Sequence, residues 1–305
     1  MPLGSHAARS RATGNPSPDE IEERVPTPTL MPYALVALFG LALGSFLNVC
    51  IFRLPRHESV VTPRSRCPQC SQPIGWYDNI PVLSYILLRG RCRRCHARIS
   101  PIYPLVELLA AGVLLLAFFQ YGLSPAFIKF AVFGLLLLIL IFTDLQERRL
   151  PHAVTLLGMG LGLVLCFIVP VDARPLDWIF RRMGFFFDTP YLSFAGAVAG
   201  ALLGGGLFYA VGEIFYRVTG MEGLGFGDVM LMLMVGTFLG IPLTLLTILI
   251  GSLLGTLVAL PFELFTTRFR HYPWPYGTFL GAAALYAGLG GNALLDAYLR
   301  WALLK

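Results

Sequence analysis

Apolar residues run in long blocks along most of the chain, and polar residues gather between them. The blocks fall at about 31–52, 103–121, 126–143, 151–169, 192–214, 226–240, 243–262 and 277–297. A helix that crosses a bilayer needs about 20 such residues, so the pattern predicts an all-α polytopic membrane protein with eight transmembrane helices. The sixth block is short, and Pro242 parts it from the seventh; proline disfavours helix in the residue before it. Glycine and proline in "QYGLSP" and "LGIP" mark tight turns. Residues 1–30, rich in Pro, Ser, Thr and charge, read as a disordered N-terminal tail. The first block starts near Met31 and outruns the core of a cleavable signal, so it is expected to remain as the first span.

Composition agrees with this pattern. Hydrophobic residues make up 56% and charged residues 13%, against about 25% charged in soluble domains. The net charge of +6 comes almost wholly from arginine, since Lys129 and Lys305 are the only lysines. A nucleic-acid partner would need those arginines on a sizeable soluble domain, for which there is no room, so none is expected. Nine arginines instead fall in the polar insert 53–102, between the first and second spans. Basic loops stay in the cytoplasm, which places the insert inside and both termini outside. The loops "DLQERRLP", "YRVTGMEGLGFGD" and "TTRFRHYPWP" then lie on the same side as the insert. The outward loop "VDARPLDWIFRRMGFFFDTP" balances three arginines with three aspartates and suits the membrane surface.

The insert carries "CPQC" at 67–70 and "CRRC" at 92–95. A two-residue spacer lets both thiolates of a knuckle reach one ion, and two knuckles complete a tetrahedron. Cys67, Cys70, Cys92 and Cys95 are therefore expected to hold a structural Zn2+. A cytoplasmic loop is reducing, which disfavours the alternative of two disulfides. Four sulfur ligands leave no open coordination position, so this metal folds the insert and does no chemistry. Cys50 and Cys166 fall within spans and read as packing residues.

Two carboxylates stand at span ends. Asp144 closes "FGLLLLILIFT", and Asp228, after "EGLGFG", opens "VMLMLMVGTFLG". The two spans run in opposite directions, so both aspartates reach one depth on the cytoplasmic side. Singly, Asp144 would pair with Arg148 one turn on, and Asp228 would cap its helix. As a pair they share the acid and base roles that peptide-bond hydrolysis requires. Gly223, Gly225 and Gly227 would give the backbone unusual freedom and let an extended peptide lie close.

"GLGFGD" matches the GxGD signature of intramembrane aspartyl proteases. In order along the chain, "GSFLNVCIFRLP", the four-cysteine loop, "NIPVLSYILLRGRCRRC", "ISPIYPLVELL", "DLQERRLP" and "EGLGFGDVMLM" resemble the prepilin peptidases, or type IV leader peptidases. The likeness covers about residues 40–290. It implies Asp144 and Asp228 as the catalytic pair, and a prepilin or pseudopilin as substrate, cut between its basic leader and its apolar helix. It also implies N-methylation of the new terminus with S-adenosylmethionine. The methyltransferase region is expected in 31–121, and a six-span peptidase domain in 122–305. Glu147 and Glu222, with Gly225 and Gly227, are the expected substrate contacts. No strand–GxGxxG–helix unit exists for the methyl donor, and "LLGGGLF" at 202–208 reads as helix packing. Glu107, an acid just inside the second span, is a functional candidate, and Glu213 with Arg217 an ion pair. Three positions depart from the family pattern: His152 in place of an acid, Met230 in place of lysine, and "PYGTFL" (275–280) in place of "PFGPFL". They bear on substrate grip.

The place implied is the bacterial inner membrane, with the site at the cytoplasmic face. The competing reading is a transporter or channel with a regulatory zinc loop. That would favour acids near the bilayer midplane, whereas these gather at one face. A third is an inactive assembly protein that keeps the zinc loop.

Overall fold

A computed structural model describes residues 30–221, 223–265 and 274–303; the N-terminal tail, Glu222 and most of the "TTRFRHYPWP" loop lie outside the described residues. The chain is helical, with no named strand among those residues. The helices are α1 Leu30–Arg53, α2 Leu83–Leu87, α3 Ile102–Tyr121, α4 Pro125–Glu147, α5 His152–Leu165, α6 Arg174–Arg182, α7 Thr189–Thr219, α8 Phe226–Phe265 and α9 Tyr276–Leu303. Their ends follow local chemistry. Ser124 caps α4, its hydroxyl accepting from the Phe127 N–H at 3.3 Å, and Pro125 occupies the first turn. Gly220 closes α7 in the left-handed region at φ 70°.

Six helices are long and apolar enough to cross a membrane, α8 being counted as one. The fourth block yields α5, only 14 residues long. At 1.5 Å per residue that is about 21 Å, short of a hydrocarbon core of roughly 30 Å. The sixth and seventh blocks form the two legs of α8, separate helices that meet at Gly240, where φ 71° and ψ −174° break the helix. Glycine is required there, since a side chain would be strained at that φ and its Cβ would meet the Asp172 carbonyl oxygen at 3.0 Å. The chain reverses at this point. Asp228 and Leu239 lie beside Gly277 and Gly288 of α9, so the first leg of α8 runs parallel to α9. Gly291 meets Leu243, Leu280 meets Gly251, and Tyr276 meets Gly255, so the second leg runs back.

Helix α4 is the centre of the bundle: Leu137 and Leu140 are fully enclosed, and α1, α3, α5 and α9 all pack on it. Its far end is fixed by Lys129, which is buried and donates to the Val169 carbonyl at 2.9 Å beyond the end of α5. Outward-facing positions such as Leu38, Phe39, Leu116 and Leu257 are apolar and exposed, as lipid contact demands. The loop between α5 and α7 forms α6, with ion pairs Arg174–Asp172 at 2.6 Å and Arg181–Asp177 at 2.8 Å beside an exposed Trp178.

Close approach of α7 to α8 explains the glycine-rich "LLGGGLF". A Cβ on Gly204 would stand 2.9 Å from the Met232 carbonyl oxygen, and one on Gly205 would stand 2.4 Å from Leu233 Cγ. Across the same seam a Cβ on Gly236 would stand 2.3 Å from backbone atoms of Gly200 and Ala201. Backbone cannot yield as a side chain can. Gly236→Ala should therefore cost about 1–3 kcal/mol of stability, read as a lowered thermal midpoint in detergent. Gly206→Ala, with open space around it, should leave that midpoint unchanged.

Candidate functional site

Asp144 occupies the last turn of α4. The apolar run ends there, and Arg148 closes the helix with φ 53°, its N–H donating to the Asp144 carbonyl at 2.9 Å. The chain turns through Leu150 and Pro151 into α5, which leaves Asp144 beneath the turn and only 6% exposed. Asp228 enters from the first turn of α8, its N–H donating to the Gly225 carbonyl at 3.0 Å. The two aspartates belong to helices of opposite direction and come together at one end of the bundle.

What brings them together is the start of α9. A Cβ placed on Gly277 would lie 3.0 Å from Asp228 Oδ1 and 3.1 Å from Asp144 Oδ2. The two carboxylate oxygens therefore lie within about 6 Å of each other across the glycine. Only glycine leaves this space open. The next residue, Thr278, donates its backbone N–H to Asp144 Oδ2 at 2.7 Å and sets its hydroxyl 3.0 Å from the same oxygen. Acids held at this separation interact strongly: two unit charges about 6 Å apart repel by roughly 3 kcal/mol at an effective dielectric near 20. The pair therefore takes up and releases protons as a unit.

The carboxylates open on a cavity of about 420 Å³. Its walls come from Leu54, Pro55 and His57 after α1, from the turn 148–153, and from Gly225 and Gly227. The glycines do less with their backbone freedom than expected. None of Gly223, Gly225 and Gly227 has positive φ. Gly223 is needed for space, since its Cβ would stand 2.4 Å from Phe215 Cδ1, and Gly227 faces Leu150 at 3.0 Å. Gly225 is exposed beside Asp228 Oδ2. His152 lines the cavity, its ring edge-on to Phe226 at 5.9 Å.

Glu147 is already engaged, in an ion pair with Arg56 that ties the end of α1 to the end of α4. Glu107 is buried and accepts the Val82 N–H at 2.7 Å, which anchors the insert to α3. Arg53 does the same from α1, donating to the Ser59 and Pro63 carbonyls at 2.8 and 2.7 Å. Glu213 and Arg217 pair at 2.7 Å on the surface of α7. Cys50 and Cys166 are buried thiols.

Sequence reading missed Gly277 and Thr278, although "PYGTFL" was singled out as a departure. Nothing in the linear pattern says that the N-terminus of the last helix meets the ends of α4 and α8. His57 was missed for the same reason.

In the insert, the sulfur atoms of Cys67, Cys70, Cys92 and Cys95 all lie within 4.8 Å of one another, with Cys67 and Cys95 at 3.7 Å. Four thiolates about 2.3 Å from a tetrahedral zinc stand roughly 3.8 Å apart, so the donor set fits that ion. Two similar turns present them. Ser71 N–H donates to the Cys67 carbonyl and His96 N–H to the Cys92 carbonyl, and Ser71 and His96 have φ 57° and 58°.

Comparison with known proteins gives two family matches. Residues 38–121 match the model described as Bacterial Peptidase A24 N-terminal domain, and residues 131–260 match the Type IV leader peptidase family. The chain is 37% identical over 239 residues to a prepilin leader peptidase/N-methyltransferase of Myxococcus xanthus (strain DK1622), covering 78% of this chain and 65% of that protein. It is 33% identical over 297 residues to the protein of that name in Aeromonas salmonicida (strain A449), covering 88% and 94%. Against the one in Neisseria gonorrhoeae it is 31% identical, covering 80% and 86%. No solved structure matches.

If the four thiolates bind zinc, the purified protein should carry about one zinc per chain by elemental analysis. Cys67→Ser should lose it and leave the insert open to proteolysis, whereas Cys166→Ser, far from the cluster, should keep it.

Proposed function

The chain belongs to the type IV leader peptidase family, and from that membership we propose that it is a membrane aspartyl endopeptidase that removes the basic leader of a prepilin or pseudopilin. The observation that carries this reading is the convergence of Asp144 and Asp228 on Gly277. In the mechanism, one aspartate takes a proton from a water as that water attacks the scissile carbonyl. The other gives a proton to the carbonyl oxygen and receives it back as the tetrahedral intermediate collapses, while the first passes the proton taken from water to the departing amine nitrogen. The substrate lies extended along exposed Gly225, where no side chain blocks backbone approach. Its apolar helix stays in lipid, while the leader leaves through the opening between the α1 end and the turn 148–153.

The catalytic face is the cytoplasmic one, because the arginine-rich insert sits beside the same cavity and basic segments are retained inside. Glu147, paired with Arg56 at the rim of the cavity, is one proposed acidic contact for the leader. Glu222 lies outside the described residues and remains the other proposed acidic contact, with Gly225 and Gly227 flanking it. Cys67, Cys70, Cys92 and Cys95 would hold the Zn2+, whose role is to fold the insert. The new α-amine is then methylated; S-adenosylmethionine would supply the methyl group, and residues 31–121 would carry that step. Leu54, Pro55 and His57 from this region line the peptidase cavity, so the amine would emerge beside it.

Asp144→Asn and Asp228→Asn should each lower leader removal by about 10³-fold or more while leaving the protein folded. Mass spectrometry of a prepilin incubated with enzyme and S-adenosylmethionine reads loss of the leader and gain of a methyl group together. Gly277→Ala places a methyl group between the carboxylates and should cost about 100-fold in turnover. Cleavage retained by either asparagine variant would overturn the aspartyl mechanism.

A further inference from the structure

Thr278 makes two contacts to one atom. Its backbone N–H reaches Asp144 Oδ2 at 2.7 Å, closer than its 3.2 Å contact to the Pro275 carbonyl. Its hydroxyl stands 3.0 Å from the same oxygen and 3.3 Å from the Ile141 carbonyl. A hydroxyl has one proton, and the nearer, charged acceptor makes the stronger bond. A carboxylate oxygen offers two lone-pair sites, and Thr278 engages both at Oδ2.

We infer that Thr278 is the positioning residue of the carboxylate pair: it fixes Asp144 through Oδ2, the oxygen that Gly277 also leaves open toward Asp228. This rests on the peptidase reading above and refines it. The fold supports it on three counts. Thr278 sits in the first turn of α9, whose free N–H groups favour a carboxylate there. Asp144 hangs from the end of another helix, and the Thr278 N–H and hydroxyl tie its carboxylate to α9. Gly277, one residue earlier, keeps the gap to Asp228 open, so the spacing of the two acids and the orientation of one of them come from adjacent residues on a single rigid helix. No proton passes through Thr278: its hydroxyl proton stays on Oγ1 throughout, and the proton taken from water goes to a carboxylate of the pair.

The test is steady-state cleavage of a prepilin by the full-length enzyme in detergent, comparing Thr278→Val, Thr278→Ser and Asp144→Asn. Valine keeps the N–H and the shape but loses the hydroxyl. It should lower kcat about tenfold with KM unchanged, the size expected for one hydrogen bond to a charged group. Serine keeps both donors and should restore kcat to within about twofold. If valine does not yield monodisperse protein, Thr278→Ala against Thr278→Ser makes the same comparison. A valine variant with wild-type kcat, a loss carried by KM alone, or a serine variant as slow as valine would overturn the inference. Activity in Asp144→Asn would instead overturn the peptidase reading itself, so the two failures are told apart.

Discussion

The N-terminus of α9 set against two carboxylates is the contact on which the rest of the site depends. Asp144 and Asp228 each close or open an apolar helix, and either alone would find water or a local cap. Gly277 lets both approach one point, and Thr278 gives Asp144 two donors. Bringing two acids together is unfavourable, so the surroundings must hold them. The holding is done by helix packing: α4 at the centre, the first leg of α8 on one side, and α9 against both.

That arrangement also explains the fold at Gly240. If α8 were straight, its 40 residues would run about 60 Å and carry the second leg away from the bundle. Reversal at Gly240 returns the chain so that Ser252 meets Tyr276, hydroxyl to hydroxyl at 2.9 Å, at the level of the acids. The start of α9 is thus braced by the returning leg. Glycines at 200, 204, 205 and 236 allow α7 and α8 to approach closely, and the seam they form steadies the leg that carries Asp228.

The two family regions meet at this site and do not merely follow one another in the chain. The end of α1 contributes Leu54, Pro55 and His57 to the cavity wall, and the Arg56–Glu147 pair fastens it to α4 three residues beyond Asp144. Arg53 and Glu107 hold the two roots of the four-cysteine insert. A disturbance of the insert would therefore be felt at the cavity through α1, over a few rigid contacts.

The sequence by itself determined the helical blocks, the cysteine knuckles and the candidate acids, because these follow from hydropathy, ligand spacing and local charge. It also marked α6 and the Glu213–Arg217 pair, both set by neighbours three or four residues away. It parted the sixth and seventh blocks at Pro242, and the helix breaks two residues earlier, at Gly240. It gave Gly223 and Gly227 a conformational role when they are small to admit Phe215 and Leu150. Glu147 looked free in the sequence, since its partner Arg56 lies 91 positions away. Only the tertiary structure decided that Gly277 and Thr278 complete the carboxylate site: contacts between helix ends far apart in sequence depend on how the whole bundle packs, and no local pattern of residues encodes that.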